Sequence, residues 1–219
     1  NTFSDNGHNA IYVNGHTIPD GAKVQWDDPG VPYVIENTTV AAGATLNIAA
    51  GTVVKLRDNT YIWVYGTLNA IGTESDKIVF TAYTDDTVGG DTNADGSETT
   101  PEGDYWRCIA FDGDGGGTLD HCIIRYGGYY NDANIHCEDS ASPTISNCVI
   151  SYSDVDGIRL HNDAQPTISN CTISHNENWA IRRWHWNTNP HLSGNTFSDN
   201  GHNAIYVNGH TIPDGAKVQ

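Results

Sequence analysis

The feature that most constrains the fold of this chain is a short internal repeat in its C-terminal half. Residues 142–162, 165–185 and 189–209 align, and their apolar residues and prolines recur at steps of 23 and 24. The aligned columns are Pro143, Pro166 and Pro190; Ile145, Ile168 and Leu192; Ile150, Ile173 and Phe197; and Ile158, Ile181 and Ile205. Because like residues return to register once per repeat, the sequence predicts a solenoid.

The spacing inside each repeat indicates strands. Apolar residues alternate with others, as in Ile158-x-Leu160 and Ile109-x-Phe111, whereas helical repeats would space them by three and four. A coil of this length with short strands and polar corners is typical of one turn of a parallel β-helix. Residues 34–73 alternate strand-length apolar runs with turn dipeptides and follow the same logic. Less regular copies carry Leu119, Cys122, Ile124 and Ile135.

A second repeat operates on a larger scale. Residues 1–25 recur without a change as residues 195–219, an offset of 194 residues. Coils that diverge within one solenoid would not stay identical, so the sequence predicts a tandem array with this period; an engineered fusion of the same segment is the alternative. We expect residue 219 to lead into a copy of Trp26, and Asn195 to stack on Cys171. Asn1 should then stack on the Cys171 equivalent of a preceding unit.

Composition excludes several partners. Ten Lys and Arg against 27 Asp and Glu give a formal net charge of −17. Such a surface repels nucleic-acid phosphates and anionic lipids. No stretch approaches the roughly 20 apolar residues that span a bilayer. We therefore expect neither nucleic acid nor a membrane span in this segment, although acidity also keeps a solenoid soluble.

The strongest local motif lies in the acidic residues 84–106, which we call the insertion. Alternating oxygen-bearing side chains followed by Gly96 have the spacing of a calcium-binding loop, in which about six to eight oxygens surround the ion. The predicted ligands are Asp91, Asn93, Asp95, the backbone of Ser97, and Glu102 at the twelfth position of the loop. The alternative is a solvated Asp/Asn-Gly turn. The predicted ion is structural Ca²⁺.

The cysteines follow the short repeat. Cys122, Cys148 and Cys171 share one aligned position, which Asn195 occupies in the next coil. We predict that these four residues form an interior ladder, with buried thiols favoured over disulfides because stacked coils present unfavourable disulfide geometry. Cys137 aligns with core positions. The odd total of five cysteines leaves the redox state open.

Two groups of aromatic residues are predicted to face outward. Such strips mark contacts with protein or with sugar rings. For a chain that repeats itself, protein contact is the first interpretation and glycan the second. The residues are Tyr61, Trp63 and Tyr65 in one group, and Trp179, Trp184 and Trp186 in the other.

No arrangement of residues indicates catalysis. The ten histidines are expected to be scattered singly, apart from two pairs copied by the long repeat. A lyase would need a cation site beside a basic residue. Arg159 and Arg182 are predicted to stack in adjacent coils at outward positions, far from the insertion. We therefore predict that the chain is not an enzyme.

Two sequence patterns carry a family resemblance. The run of residues 34–73, with its G-T-V-V-K and G-T-L-x-A-x-G-T segments, and the P-T-I-S-N-C repeats resemble bacterial and archaeal cell-surface β-helix proteins of the pectate-lyase-like superfamily. The resemblance implies an all-β, right-handed parallel β-helix, here of about eight or nine coils as one domain over residues 1–219. It also implies an inserted calcium loop, because similar G-G-D-T-N-x-D-G loops occur in that family.

These observations lead to a functional hypothesis. We expect a structural repeat module of an extracellular or cell-surface fibrous protein, whose copies join end to end into a stalk or filament. A glycan-binding module of the adhesin type is the main alternative. A polysaccharide lyase or hydrolase is the third, because the superfamily contains such enzymes.

Overall fold

The computed structural model describes residues 8–96, 98–103, 105–185 and 187–208. Their strands form three parallel sheets. The first sheet contains β1 (Ile11–Val13), β4 (Tyr33–Ile35), β7 (Val53–Leu56), β10 (Ile78–Ala82), β13 (Cys122–Arg125), β16 (Val149–Ser151), β19 (Thr172–Ser174) and β22 (Thr196–Ser198). The second contains β2 (His16–Ile18), β5 (Thr38–Val40), β8 (Ile62–Val64), β11 (Ile109–Phe111), β14 (Ala133–Cys137), β17 (Asp156–Leu160), β20 (Trp179–Arg183) and β23 (His202–Val207). The third contains β3 (Lys23–Trp26), β6 (Thr45–Ile48), β9 (Thr67–Ile71), β12 (Gly116–Asp120), β15 (Thr144–Ser146), β18 (Thr167–Ser169) and β21 (His191–Ser193).

The chain visits the three sheets in a fixed order, so every third strand pairs with its predecessor. This is a parallel β-helix of about eight turns, which confirms the predicted fold. The predicted columns are also confirmed: Ile150 pairs with Ile173, and Ile158 pairs with Ile181. One short 3₁₀ turn, Tyr129–Asn131, interrupts the strands. No helix in the described residues is long and apolar enough to cross a membrane.

The core is a stack of inward-facing apolar side chains. Alternation along each strand sends one set of residues inside, and parallel pairing places the like residues of successive coils over one another. Ile135, Ile158 and Ile181 form one such column and are fully buried. The column ends at Ile205, which is 37% exposed because no described coil covers it.

The corners between sheets use left-handed backbone conformations. Asn is tolerated there because its short polar side chain can bond locally, and Gly because it lacks a Cβ. The corner before the first sheet has this conformation at His121, Asn147, Asn170 and Gly194. The corner after the first sheet has it at Tyr126, Tyr152, His175 and Asp199. The same conformation therefore recurs at both corners in the coils of β13, β16, β19 and β22.

A ladder of asparagines supports the second of these corners. Asn134 Nδ2 donates to Asn176 Oδ1 at 3.3 Å, and Asn176 Nδ2 donates to Asn200 Oδ1 at 2.8 Å. The same Asn176 Oδ1 accepts from the backbone N–H of Ser153 at 3.0 Å. Asn134 and Asn176 are buried, so the ladder satisfies polar groups that water does not reach.

The asparagine ladder yields a stability prediction. Asn176→Ala leaves the buried Ser153 N–H and the Asn134 amide without their shared acceptor. We expect the free energy of unfolding to fall by about 2 to 4 kcal/mol. Chemical denaturation followed by circular dichroism measures the change.

The comparison variant is Asn69→Ala. Asn69 Nδ2 donates to Asn47 Oδ1 at 3.0 Å, but both side chains are only half-buried. We expect a loss below about 1 kcal/mol because water replaces the lost bond. Equal losses in the two variants would show that the ladder has no special structural role.

Candidate functional site

The insertion leaves the β-helix after β10, returns at β11, and is held against the outer face of the first sheet. Lys55 on β7 donates through Nζ to the Gly90 carbonyl at 2.6 Å and to Thr92 Oγ1 at 3.0 Å. The Lys55 side chain is fully buried. Burial lowers the pKa of Lys55, and the nearby carboxylates of Asp86 and Asp85 oppose that shift. A buried ammonium group therefore fixes the insertion to the wall of the β-helix.

A buried ion pair anchors the start of the insertion. Arg125 Nη2 lies 2.6 Å from Asp85 Oδ2, and Thr81 Oγ1 and Thr87 Oγ1 donate to the same carboxylate. Burial alone would raise the pKa of Asp85, but the two threonine hydroxyls and the Arg125 charge lower it below its ordinary value. Asp85 is thus an ionised, fully satisfied carboxylate.

Beside this anchor, three further carboxylates form what we call the carboxylate cluster: Asp86, Asp91 and Asp95. One oxygen from each lies within 4.8 Å of the others. Asp91 accepts from the backbone N–H of Gly96 at 2.9 Å, which lowers its pKa. Asp95 Oδ2 accepts from Asn93 Nδ2 at 2.8 Å. Gly96 adopts φ of 76°, the conformation that permits this tight turn.

Several oxygens of this cluster have no hydrogen-bond donor. Both carboxylate oxygens of Asp86, Oδ1 of Asp95 and Oδ1 of Asn93 are buried atoms without a partner. Burial and the neighbouring Asp91 carboxylate raise the pKa of Asp86. Converging carboxylates, with buried carboxylate and amide oxygens among them that lack donors, match the ligand set of a hard divalent cation.

Three of the predicted ligands lie close together in the structure. Asp91 and Asp95 lie in the carboxylate cluster with Asp86, which was not among the predicted ligands, and Asn93 donates to Asp95. Glu102 is exposed and is not part of the cluster. Ser97 lies outside the described residues. Asp86 precedes the motif by five residues, so only the local density of acids could have indicated it.

The cysteine ladder occupies the corner before the first sheet. The Cys122 backbone N–H donates to Cys148 Sγ at 3.4 Å, and the Cys171 N–H donates to Asn195 Oδ1 at 2.9 Å. The three cysteines are buried free thiols, while Asn195 is half-buried. The neighbouring Cys148 thiol and then burial raise the pKa of Cys171. The ladder is therefore an arrangement of packed, buried thiols, with an asparagine in the last described coil.

The first aromatic group lies along the outer face of β8. Ile62 and Val64 point inward and are fully buried, so Tyr61, Trp63 and Tyr65 alternate outward. The Arg107 guanidinium carbon lies 5.6 Å from the ring centre of Tyr61 and 6.0 Å from that of Trp63. Tyr65 is 42% exposed, and Tyr61 and Trp63 are half-buried.

The second aromatic group lies at the C-terminal end of the second sheet. Trp179 stacks on His202 with ring centres 4.0 Å apart and lies 5.0 Å from Tyr206. Trp184 lies beside Arg182, whose guanidinium carbon is 5.3 Å from the ring centre. Trp186 lies outside the described residues. Trp179 therefore already contacts the second copy of the repeated segment.

The outward arginines are tied to one buried carboxylate. Arg159 pairs with Arg182 across β17 and β20. Asp156 Oδ2 lies 2.8 Å from Arg159 Nη2 and 3.0 Å from Arg182 Nε. Asp156 is fully buried. Both guanidinium groups are therefore held in an ion network, which suits a structural role better than proton transfer.

A second set of polar side chains, Cys108, Asp132 and His136, lies next to the 3₁₀ turn. The Cys108 thiol donates to Asp132 Oδ2 at 3.2 Å, and His136 Nδ1 lies 3.0 Å from Asp132 Oδ1. Burial and the Asp132 charge raise the pKa of Cys108 well above its ordinary value. A fully buried, protonated thiol is a poor nucleophile.

The prediction that the histidines are scattered was wrong for three of them. The rings of His136 and His161 lie 4.8 Å apart, and those of His161 and His185 lie 5.8 Å apart. Nε2 of His136 and Nε2 of His161 are buried without hydrogen-bond partners. Burial, followed by the charges of His136 and Arg159, lowers the pKa of His161 to about 4.

This pKa gives a pH prediction. Folded His161 binds its proton less readily than the unfolded side chain, whose pKa is about 6.5. Stability should therefore fall as pH drops from about 6.5 towards 4, by about 1 to 2 kcal/mol after solvent screening. Chemical denaturation at a series of pH values measures it.

His161→Gln should flatten the stability curve over this window. Exposed His191→Gln is the reference change and should keep the slope of the parent protein. An unchanged slope in His161→Gln would refute the assignment.

Comparison with known proteins adds one match. A family model described as a right-handed beta helix region matches residues 87–214, which is more than half of the chain. No curated protein and no solved structure shows significant similarity to the chain.

Proposed function

The chain belongs to the right-handed β-helix family, and from this premise we propose that it is a structural repeat module of an extracellular or cell-surface fibrous protein. Its copies would join end to end into a stalk or filament. β-Helices of this family occur both in enzymes and in non-enzymes. The choice between these classes therefore depends on the residues of this chain.

The observation that carries the proposal is the core face that the second copy of the repeated segment builds. Ile205 and Val207 pair with Ile181 and Arg183 and extend the core columns of the preceding coils. Because the same segment also opens the unit, these columns can continue through it into the next unit.

The long repeat supplies a matching partner for this face. Residues 1–25 and 195–219 are identical, and the first copy is followed directly by Trp26 and the coils that begin with β4. A following copy of the unit would therefore present the same strands that already stack within this chain. Backbone pairing along the axis and a continuous apolar core would then join the units.

The side chains that could support catalysis favour a structural role instead. Arg159 and Arg182 share the buried Asp156, and Cys108 is a buried, protonated thiol. Lys55 and Arg125 lie beside the carboxylate cluster, but both are held by hydrogen bonds or ion pairs to the insertion. A lyase mechanism would need a basic group that is free to act beside its cation.

Length measurements test the proposal. The chain should be compared with a chain extended by one further 194-residue period, using small-angle scattering and electron microscopy. We expect a single straight rod whose length increases by about 35 Å, since roughly seven coils are added at about 4.8 Å each. Two separate particles on a flexible linker would contradict the proposal that the units join end to end.

We also propose that the insertion binds structural Ca²⁺. Asp86, Asp91, Asn93 and Asp95 would supply the oxygens. The carboxylates of Asp86, Asp91 and Asp95 already converge, and Asp86, Asp95 and Asn93 have buried oxygens without donors. The ion would neutralise mutual repulsion among the carboxylates and pin the insertion to the first sheet. Its role would be mechanical.

Asp86→Asn distinguishes a cation site from a polar turn. With chelator present, this change removes repulsion from Asp91 and should leave the melting temperature unchanged or raised. With Ca²⁺ present, it removes a charged ligand, so we expect calcium affinity to fall by about tenfold or more. Calorimetric titration and thermal unfolding measure the two effects.

Glu102→Gln is the paired variant, because Glu102 lies outside the cluster. It should bind Ca²⁺ as the parent chain does. If Ca²⁺ leaves the melting temperature of the parent unchanged, or if only Glu102→Gln weakens binding, the assigned ligand set is wrong.

Glycan binding remains the second candidate, on the observation of two exposed tyrosines. Tyr65 is 42% exposed and Tyr130 is 71% exposed, and Arg107 lies beside Tyr130. Exposed rings of this kind can stack on sugars. If this surface binds glycan, Tyr65→Ala should weaken binding on an oligosaccharide array, whereas Tyr12→Ala at the first β-strand should not.

A further inference from the structure

One sequence segment occupies two different sheets in this molecule. Ile11–Val13 forms β1 in the first sheet, and the identical Ile205–Val207 lies within β23 in the second sheet. β1 pairs with β4, which follows it, while β23 pairs with β20, which precedes it. The same strand is therefore paired along one edge in the first copy and along the opposite edge in the second copy.

Superposing these copies defines a complete junction between units. The strand would pair on one edge with Ile181, Arg182 and Arg183 of one unit. On its other edge it would pair with Tyr33–Ile35 of the following unit. Neither edge would be left without hydrogen-bond partners, which is the condition for a continuous sheet.

The superposition also fixes the rotation between units. Among the described strands, β23 follows β1 by 22 strands, which is seven circuits of the three sheets and one further strand. The second sheet of one unit therefore continues as the first sheet of the next. Each unit would be turned by one third of a circuit relative to the unit before it.

The side chains of the repeated segment also have different neighbours in the two copies. In the first copy, His8 Nδ1 lies 3.0 Å from the Thr92 carbonyl, and the Tyr12 hydroxyl donates to the same carbonyl at 3.3 Å. In the second copy, the equivalent His202 stacks on Trp179. The equivalent Tyr206 lies close to both Trp179 and Arg182, with the Arg182 guanidinium carbon 5.5 Å from its ring centre.

In a junction, the same tyrosine would make both sets of contacts. It would meet Trp179 and Arg182 of one unit and the insertion of the following unit. The insertion is acidic, whereas the surface around Trp179 carries Arg182 and Arg159, whose two positive charges exceed the single charge of the Asp156 that they share. Opposite charges that face each other favour this pairing and disfavour a pairing of like ends.

We propose that successive units join through the shared strand Ile-Tyr-Val with a one-third turn, which places the acidic insertion of each unit beside Trp179 and Arg182 of the preceding one. The surface around Trp179 is thus a docking site for a further copy of this chain. This inference rests on the proposed function, since it requires units that meet end to end. The insertions would follow a three-fold spiral around the rod.

Electron cryomicroscopy of a chain extended by two periods tests the geometry. We expect an uninterrupted β-helix with insertions about 35 Å apart along the axis and one third of a turn apart around it. If the rod is continuous but all insertions lie in line on one side, the one-third turn is wrong and the proposed function still stands. A break in strand stacking at the junctions would overturn the proposed function as well.

Hydrogen exchange tests the side-chain contacts with one substitution at three places. In a chain extended by one period, the segment occurs three times, and Tyr→Ala is made in each copy separately. In the internal copy, exchange should rise both in the following insertion and around Trp179 of the preceding unit. At the first copy only the insertion should respond, and at the last copy only the Trp179 region.

This design contains its own controls, because the residue and the substitution are identical at all three positions. Local loss of the tyrosine ring is common to all copies and cancels in the comparison. If the internal copy affects only one of the two regions, the two surfaces do not meet at the junction and the inference is wrong.

Discussion

The whole molecule depends on the stacking of one coil on the next. Each short strand has no partner within its own coil, so the coils above and below must satisfy its backbone groups. This requirement forces every coil to return to the same lateral position. Side chains of like shape then align, as Ile135, Ile158 and Ile181 do. Burial of these side chains stabilises the same strand register that the backbone hydrogen bonds require. Extra residues can be accommodated where the chain leaves a coil and returns to the same place in it, as the insertion does between β10 and β11.

The same requirement explains what could be predicted from the sequence. In the C-terminal half, register is visible because Ile145 and Ile168, like Ile150 and Ile173, pair in space as they align in sequence. The order of the sheets and the inward columns follow from that alignment. The left-handed corners were harder to predict from the sequence. The corner positions hold asparagine in some coils and tyrosine or histidine in others, as at Tyr152.

Contacts between neighbouring columns were beyond sequence reasoning. His136 pairs in register with Arg159, so alignment places it away from His161. The two rings nevertheless meet diagonally, because side-chain rotamers bridge adjacent positions on adjacent coils. Asp86 is a similar case. A linear motif orders ligands along one loop, whereas the folded insertion also brings back a residue that precedes the loop.

The two acidic groups of the insertion differ in their hydrogen bonding, because the protein supplies donors to one group and leaves the other without them. Asp85 already has Arg125 and two threonine hydroxyls, so an added cation would compete with existing donors. Asp86 has no donor for either oxygen, and Lys55 reaches the insertion through Gly90 and Thr92 instead. The protein thus uses its own cations to hold the insertion in place while leaving one set of oxygens unsatisfied. Buried oxygens without donors destabilise a loop unless an ion binds to them. The raised pKa of Asp86 has the same cause, because burial disfavours its charged form.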